Sequence, residues 1–169
     1  MGEENKKSQN ESRPRRFSQQ QYEMLKRCSE KRDMTEWNEW RRNLCNTYED
    51  IWLQGGDFSR WNLKGAILST DTFPGIHGKV YLQEAKFVDT HLEGSDLSFA
   101  YLEGANFNDA HLENSKLYNA HLRGAHFTRA CLQKANLSFA ELQDARLGFG
   151  LHILKVQNLE SLALKELIF

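Results

Sequence analysis

The sequence predicts a solenoid, a chain wound into four-sided coils stacked one on the next. Leucine or phenylalanine stands at every fifth position from Leu82 through Phe87, Leu92, Leu97 and onward to Leu147, fourteen times in succession. Two residues before each stands a small or slim side chain, such as Ala85, Ser95, Ala100, Ala105 or Ala110, with Val80 and Thr90 the bulkier members. A longer period overlies this beat: Phe87, Phe107 and Phe127 are spaced by twenty, and LSFA recurs at 97–100 and 137–140. A helix repeats about every 3.6 residues and a strand about every 2, so neither keeps a five-residue stripe on one face. A chain that turns a corner every five residues does, and twenty residues then close one square coil.

Runs such as YLEGANFNDA and CLQKANLSFA resemble the A-(N/D)-L-x-x units of the pentapeptide-repeat family. The resemblance is strongest over 80–149 and spans about 100 positions once the looser early repeats are counted. It implies an all-β solenoid, a right-handed four-sided parallel β-helix. The right hand is also that of parallel crossovers in general.

Residues 1–16 are polar and carry Pro14, so a disordered tail is expected. A helical N-terminal cap is expected over 17–50. Ser18 with Gln21 makes a capping box for a helix over about 18–31, with Tyr22, Leu25 and Cys28 on one face. Asp33 with Glu36 makes a second box, followed by Trp37, Trp40 and Leu44 at helical spacing. Such helices would cover the open end of the first coil, whose strand edges lack partners.

The β-helix is expected over 51–150. Its beat begins with Leu53, Phe58, Leu63, Leu68 and Phe73, and Trp61 stands where a small residue is due. The beat slips by one residue between Phe73 and Leu82, and Pro74, Gly75 and Gly78 mark a protruding loop over 71–79. After Leu147 the register fails. Residues 151–169 are expected to close the last coil and form a short helix near 158–168, serving either as a C-terminal cap or as a dimerisation segment joining two copies.

The chain of 169 residues carries a formal charge of −1 and no basic block long enough to track a phosphate backbone, so no direct nucleic-acid partner is expected. No apolar run is long enough to span a bilayer, and the start lacks the apolar segment of a secretory signal; a cytoplasmic protein without membrane contact is expected. Cys28, Cys45 and Cys131 are odd in number and scattered, as reduced thiols are.

Outward residues twenty apart should stack about 4.8 Å apart. This pairs Glu103 with Arg123, Asp96 with Lys116 and Asp109 with Arg129, and sets Asp89 against Asp109 and Glu93 against Glu113. The like-charged positions Asp89, Glu93, Asp109 and Glu113, with Pro74 and His77 of the loop, are the candidate contacts for a protein partner. His91, His111 and Cys131 fall in one column, but ladder spacing holds side chains parallel rather than converging, so no metal is expected. No nucleophile-elbow, phosphate-loop or dinucleotide motif occurs, and no cofactor is expected.

The functional expectation is a non-catalytic protein–protein interaction scaffold. The rival expectation, implied by the same resemblance, is modulation of DNA gyrase or a related topoisomerase by mimicry of duplex DNA, as in quinolone-resistance members. Those members are strongly acidic, whereas residues 80–149 here carry nine acidic and six basic residues.

Overall fold

The computed structural model describes residues 17–44, 49–69 and 78–148. The expected tail over 1–16, Phe73, and the C-terminal segment over 151–169 with its helix lie outside the described residues.

The chain turns at every fifth residue. In each turn the third residue has positive φ, as at Gly94, Gly104 and Asp109, and the fourth N–H returns to the first carbonyl, as from Ala85 to Leu82 at 3.1 Å. This is the pattern of a type II turn. The straight parts between corners are too short for long strands. They pair as β1 (Ile51–Trp52) with β2 (Val80–Tyr81), and otherwise as single parallel bridges.

Those bridges define the coil. Tyr81 pairs with Tyr101 and Tyr101 with His121; Lys86 with Asn106, His91 with His111 and Asp96 with Lys116 repeat the offset of twenty on the other three sides. Between the first and second coils the offset is larger: Ile51 pairs with Val80, Asp57 with Lys86 and Asn62 with His91. The one-residue slip is therefore a nine-residue insertion. Coil one places Leu53, Phe58, Leu63 and Leu68 inward, and coil two resumes at Leu82. At the return, a Cβ on Gly78 would collide with the Glu49 carbonyl, a close approach only glycine allows.

The interior is the predicted dry column. Phe58, Phe87, Phe107 and Phe127 are fully buried and stack in file, with centroids 5.1, 4.9 and 5.0 Å apart. Ala85, Ala100, Ala105 and their equivalents are buried beside them, so each side turns in one large and one small group. Thr90, the bulkier exception, satisfies its hydroxyl on the Phe58 carbonyl at 2.7 Å.

Helices α1 (Gln19–Lys31) and α2 (Thr35–Asn43) lie against coil one. Ser18 caps α1 by accepting from Gln21 N–H, but the Gln21 amide does not return to Ser18. It donates to the Asp50 carbonyl at 3.0 Å and accepts from Trp52 N–H at 2.9 Å. The other three sides are met in the same way. Tyr22 donates to the Asp57 carbonyl, Ser29 accepts from Asn62 N–H, and Asn38 accepts from Ile67 N–H, whose carbonyl takes the Trp37 indole. Buried Arg41 donates to the Ser69 carbonyl, and burial brings its pKa down to about 10. The second capping box does not form: Asp33 accepts from Thr35 N–H, and Glu36 pairs with Arg27 across the helix pair. Trp61 does not enter the core; it lies half-buried under Tyr22 and edge-on to Phe58.

Phe107→Ala should cost about 3–5 kcal/mol in urea denaturation. Phe107→Asp should unfold the adjoining coils, since an unpaired carboxylate would sit between stacked rings. Gln21→Ala leaves one edge carbonyl and one edge N–H without their partner, and a loss of about 1–3 kcal/mol is expected in the same assay.

Candidate binding face

The outward side chains form columns, and one side of the square carries all four predicted carboxylates, with Asp89 and Asp109 at one of its corners and Glu93 and Glu113 at the next. One column there runs Arg60, Asp89, Asp109, Arg129. Arg60 reaches Asp89 at 3.8 Å, and Arg129 makes two bonds of 2.6 Å to Asp109. The like-charged pair is thus neutralised from both ends. The bond from Arg129 holds the Asp109 carboxyl below its ordinary pKa. Beside this column stand Glu93 and Glu113, each facing the histidine two residues before it: His91 Nδ1 is 3.2 Å from Glu93 and His111 Nδ1 is 3.8 Å from Glu113. Burial pushes the Glu93 carboxyl up, but its own backbone N–H, His91 and Lys64 together bring it below the usual value.

Among the remaining expected pairs, Lys116 reaches Asp96 at 3.5 Å. The Glu103–Arg123 pair is replaced: Arg123 turns to Asp144 at 3.8 Å, while Glu103 keeps one buried oxygen without a hydrogen-bond partner and burial pushes its carboxyl up.

The same side opens into a cleft of about 550 Å³ between α1 and the first two coils. Lys26, Ser29, Glu30 and Arg32 line it from the helix end, and Arg60, Trp61, Asn62, Lys64, His91 and Glu93 from the coils. Four fixed cations thus face two carboxylates, with an indole forming the apolar wall.

Residues 79–114 and 105–148 match the family of pentapeptide repeats, in 8 copies. Residues 79–148 are a run of pentapeptide repeats. The chain is similar to a pentapeptide repeat protein of the Arabidopsis thaliana thylakoid lumen, with 28% identity, 60% of this chain and 56% of that chain covered, and a TM-score of 0.28. It is similar to a pentapeptide repeat protein from the cyanobacterium Cyanothece, with 23% identity, 66% and 80% coverage and a TM-score of 0.30. It is also similar to QnrB1, a plasmid-mediated fluoroquinolone resistance protein, with 16% identity, 61% and 63% coverage and a TM-score of 0.35. This pentapeptide-repeat chain spans just over half the length of the Arabidopsis protein. No curated protein sequence matches it.

Pro74 and His77 lie outside the described residues. Sequence reasoning missed Lys26 and Arg32, because their approach to Arg60 and Lys64 depends on how the cap seats. It also missed an aromatic corner, where Phe99, Tyr118 and Phe139 meet edge to face at 5.4 and 5.5 Å. The recurring LSFA was the available signal. Among the described residues no helix is long and apolar enough to cross a membrane.

Arg129→Ala should leave the melting temperature nearly unchanged, since exposed ion pairs contribute little, and return the Asp109 carboxyl to the ordinary range in an NMR titration. The sign follows from the depressed pKa: the pair stabilises above the unfolded carboxylate pKa, and the contribution fades as pH falls through the folded one.

Proposed function

We propose that this right-handed four-sided coil is a non-catalytic cytoplasmic scaffold that binds another protein on the side where α1 meets the first two coils. The observation that carries this reading is the cleft, with Lys26, Arg32, Arg60 and Lys64 set around the Trp61 indole on a rigid ladder. An aromatic wall ringed by cations suits a partner segment that carries acidic side chains beside an apolar one. Asp89, Glu93, Asp109 and Glu113 extend the rim along the coil axis. Being paired, they favour orientation of a partner over strength of binding. The Pro74 and His77 segment is a second, separate contact in this reading.

Modulation of a topoisomerase by duplex mimicry is the weaker reading. It needs a continuous negative track, and here Asp89, Asp96, Asp109 and Asp144 are each met by an arginine or lysine.

The full chain and an Arg32→Glu/Lys64→Glu variant, both used as bait, test the proposal. A partner retained by the first and lost by the second, at equal melting temperature, is expected. Retention by both would remove the cleft from the reading. Gyrase supercoiling with and without a quinolone should be unaffected by the protein, and inhibition or protection would favour the rival.

A further inference from the structure

We propose that His111, Glu113 and Cys131 form a binding site for a borderline-soft divalent metal ion, with Zn²⁺ as its representative. Their ligand atoms all lie within 4.8 Å of one another. His111 and Cys131 are bridge partners in adjacent coils, so imidazole and thiol project side by side from one face. Glu113, two residues after His111, projects from the same face, with Oε1 3.8 Å from His111 Nδ1. Tetrahedral zinc has bonds of about 2.0–2.3 Å, which puts its ligand atoms roughly 3.3–3.8 Å apart. Rotation of the Glu113 and Cys131 side chains toward the fixed His111 ring closes that gap while the backbone ladder stays in place.

Two further observations point to a cation at this place. Glu113 Oε2 is shielded from solvent and accepts no hydrogen bond, a condition that calls for an ion or a water as its partner. The His111 ring is already oriented, because His91 stacks on it with centroids 4.7 Å apart and planes within 11°, and Glu93 holds His91 in turn. An imidazole, a carboxylate and a thiol together suit zinc and its neighbours rather than calcium or magnesium, which take oxygen donors. Three protein ligands leave the outward fourth position to water. On binding, the Cys131 proton passes to solvent, since the thiolate is the ligand.

The expectation of no metal considered only the column of His91, His111 and Cys131, whose members run parallel. Convergence here crosses two columns, because Glu113 enters from beside the ladder.

The test uses the untagged full chain, stripped of metal and titrated with Zn²⁺ by calorimetry and with Co²⁺ by absorption. One ion per chain and a thiolate-to-cobalt charge-transfer band are expected. His111→Ala, Glu113→Gln and Cys131→Ser should each weaken Zn²⁺ at least about tenfold, since even outer-shell partners of a metal are worth that much. Cys131→Ser should also abolish the band. Their metal-free melting curves should match the parent chain, separating loss of a ligand from loss of fold. A stoichiometric ion that survives all three substitutions, a band that persists in Cys131→Ser, or a chain that takes up no Zn²⁺ would overturn the assignment.

Discussion

Everything in this molecule is positioned by a turn that recurs every five residues and needs positive φ at one place. Because the turn has a fixed length, each side of the coil has room for one large inward group and one small one. Leu102, Phe107 and Leu112 fill the first slot, and Ala100, Ala105 and Ala110 the second, all fully buried. Because the turn has a fixed angle, four sides close, and the backbone pairs with the coil above instead of along a strand. The bonds from Leu102 N–H to the His121 carbonyl and from Phe107 N–H to the His126 carbonyl repeat that relation side after side. Fused period and pairing leave nothing to slip, so the outer columns stay in register.

A ladder of this kind is stable only where both of its edges are met. At the N-terminal end each side of coil one receives a side chain of different chemistry, the Gln21 amide, the Tyr22 and Ser29 hydroxyls, and the Asn38 amide. A buried edge group left unpaired costs about 1–3 kcal/mol, so the part-buried contacts of Gln21, Ser29 and Asn38 add to what the inward leucines give the first coil. They also explain why α1 stands where it does. With Gln21 pinned to the first side of coil one and Ser29 to the third, Lys26, Glu30 and Arg32 line the cleft together with Trp61.

The interior was legible in the sequence because it is periodic. The beat from Leu82 to Leu147 and the file of phenylalanines follow from spacing alone, and so did the pairs of Asp96 with Lys116 and Asp109 with Arg129. What spacing could not carry is choice among near neighbours. Arg123 has Glu103 one coil behind and Asp144 one coil ahead, and it reaches Asp144 while Glu103 is partly buried. Asp33 and Glu36 have the letters of a capping box, yet Arg27 and Lys31 on the facing helix draw Glu36 away. The insertion between Leu68 and Leu82 mimics a slip of one because nine differs from ten by one, whereas the described partners of coils one and two are offset by 29 residues, as Ile51 and Val80 are. The cleft was illegible for a similar reason: it is a gap between two elements, and no single element records it.

The corner residues show how such a scaffold can carry specificity at modest cost. The interior slot is the same on every side, so distinction between one coil and the next must come from the turn and the outer columns. At the positive-φ place, Gly104, Gly124, Asn114 and Asp109 are the residues the backbone favours. Phe99 and Phe139 occupy the same place with φ of 58° and 61°, and Phe139 remains 62% exposed. A side chain held in the left-handed region costs roughly 1–2 kcal/mol, and edge-to-face contact with Tyr118 returns only about 0.5–1.5 kcal/mol. Burial does not make up the rest at Phe139. A ladder whose core is strong and repetitive can tolerate that deficit at one corner, and the result is an aromatic surface set at a fixed height on an otherwise polar column.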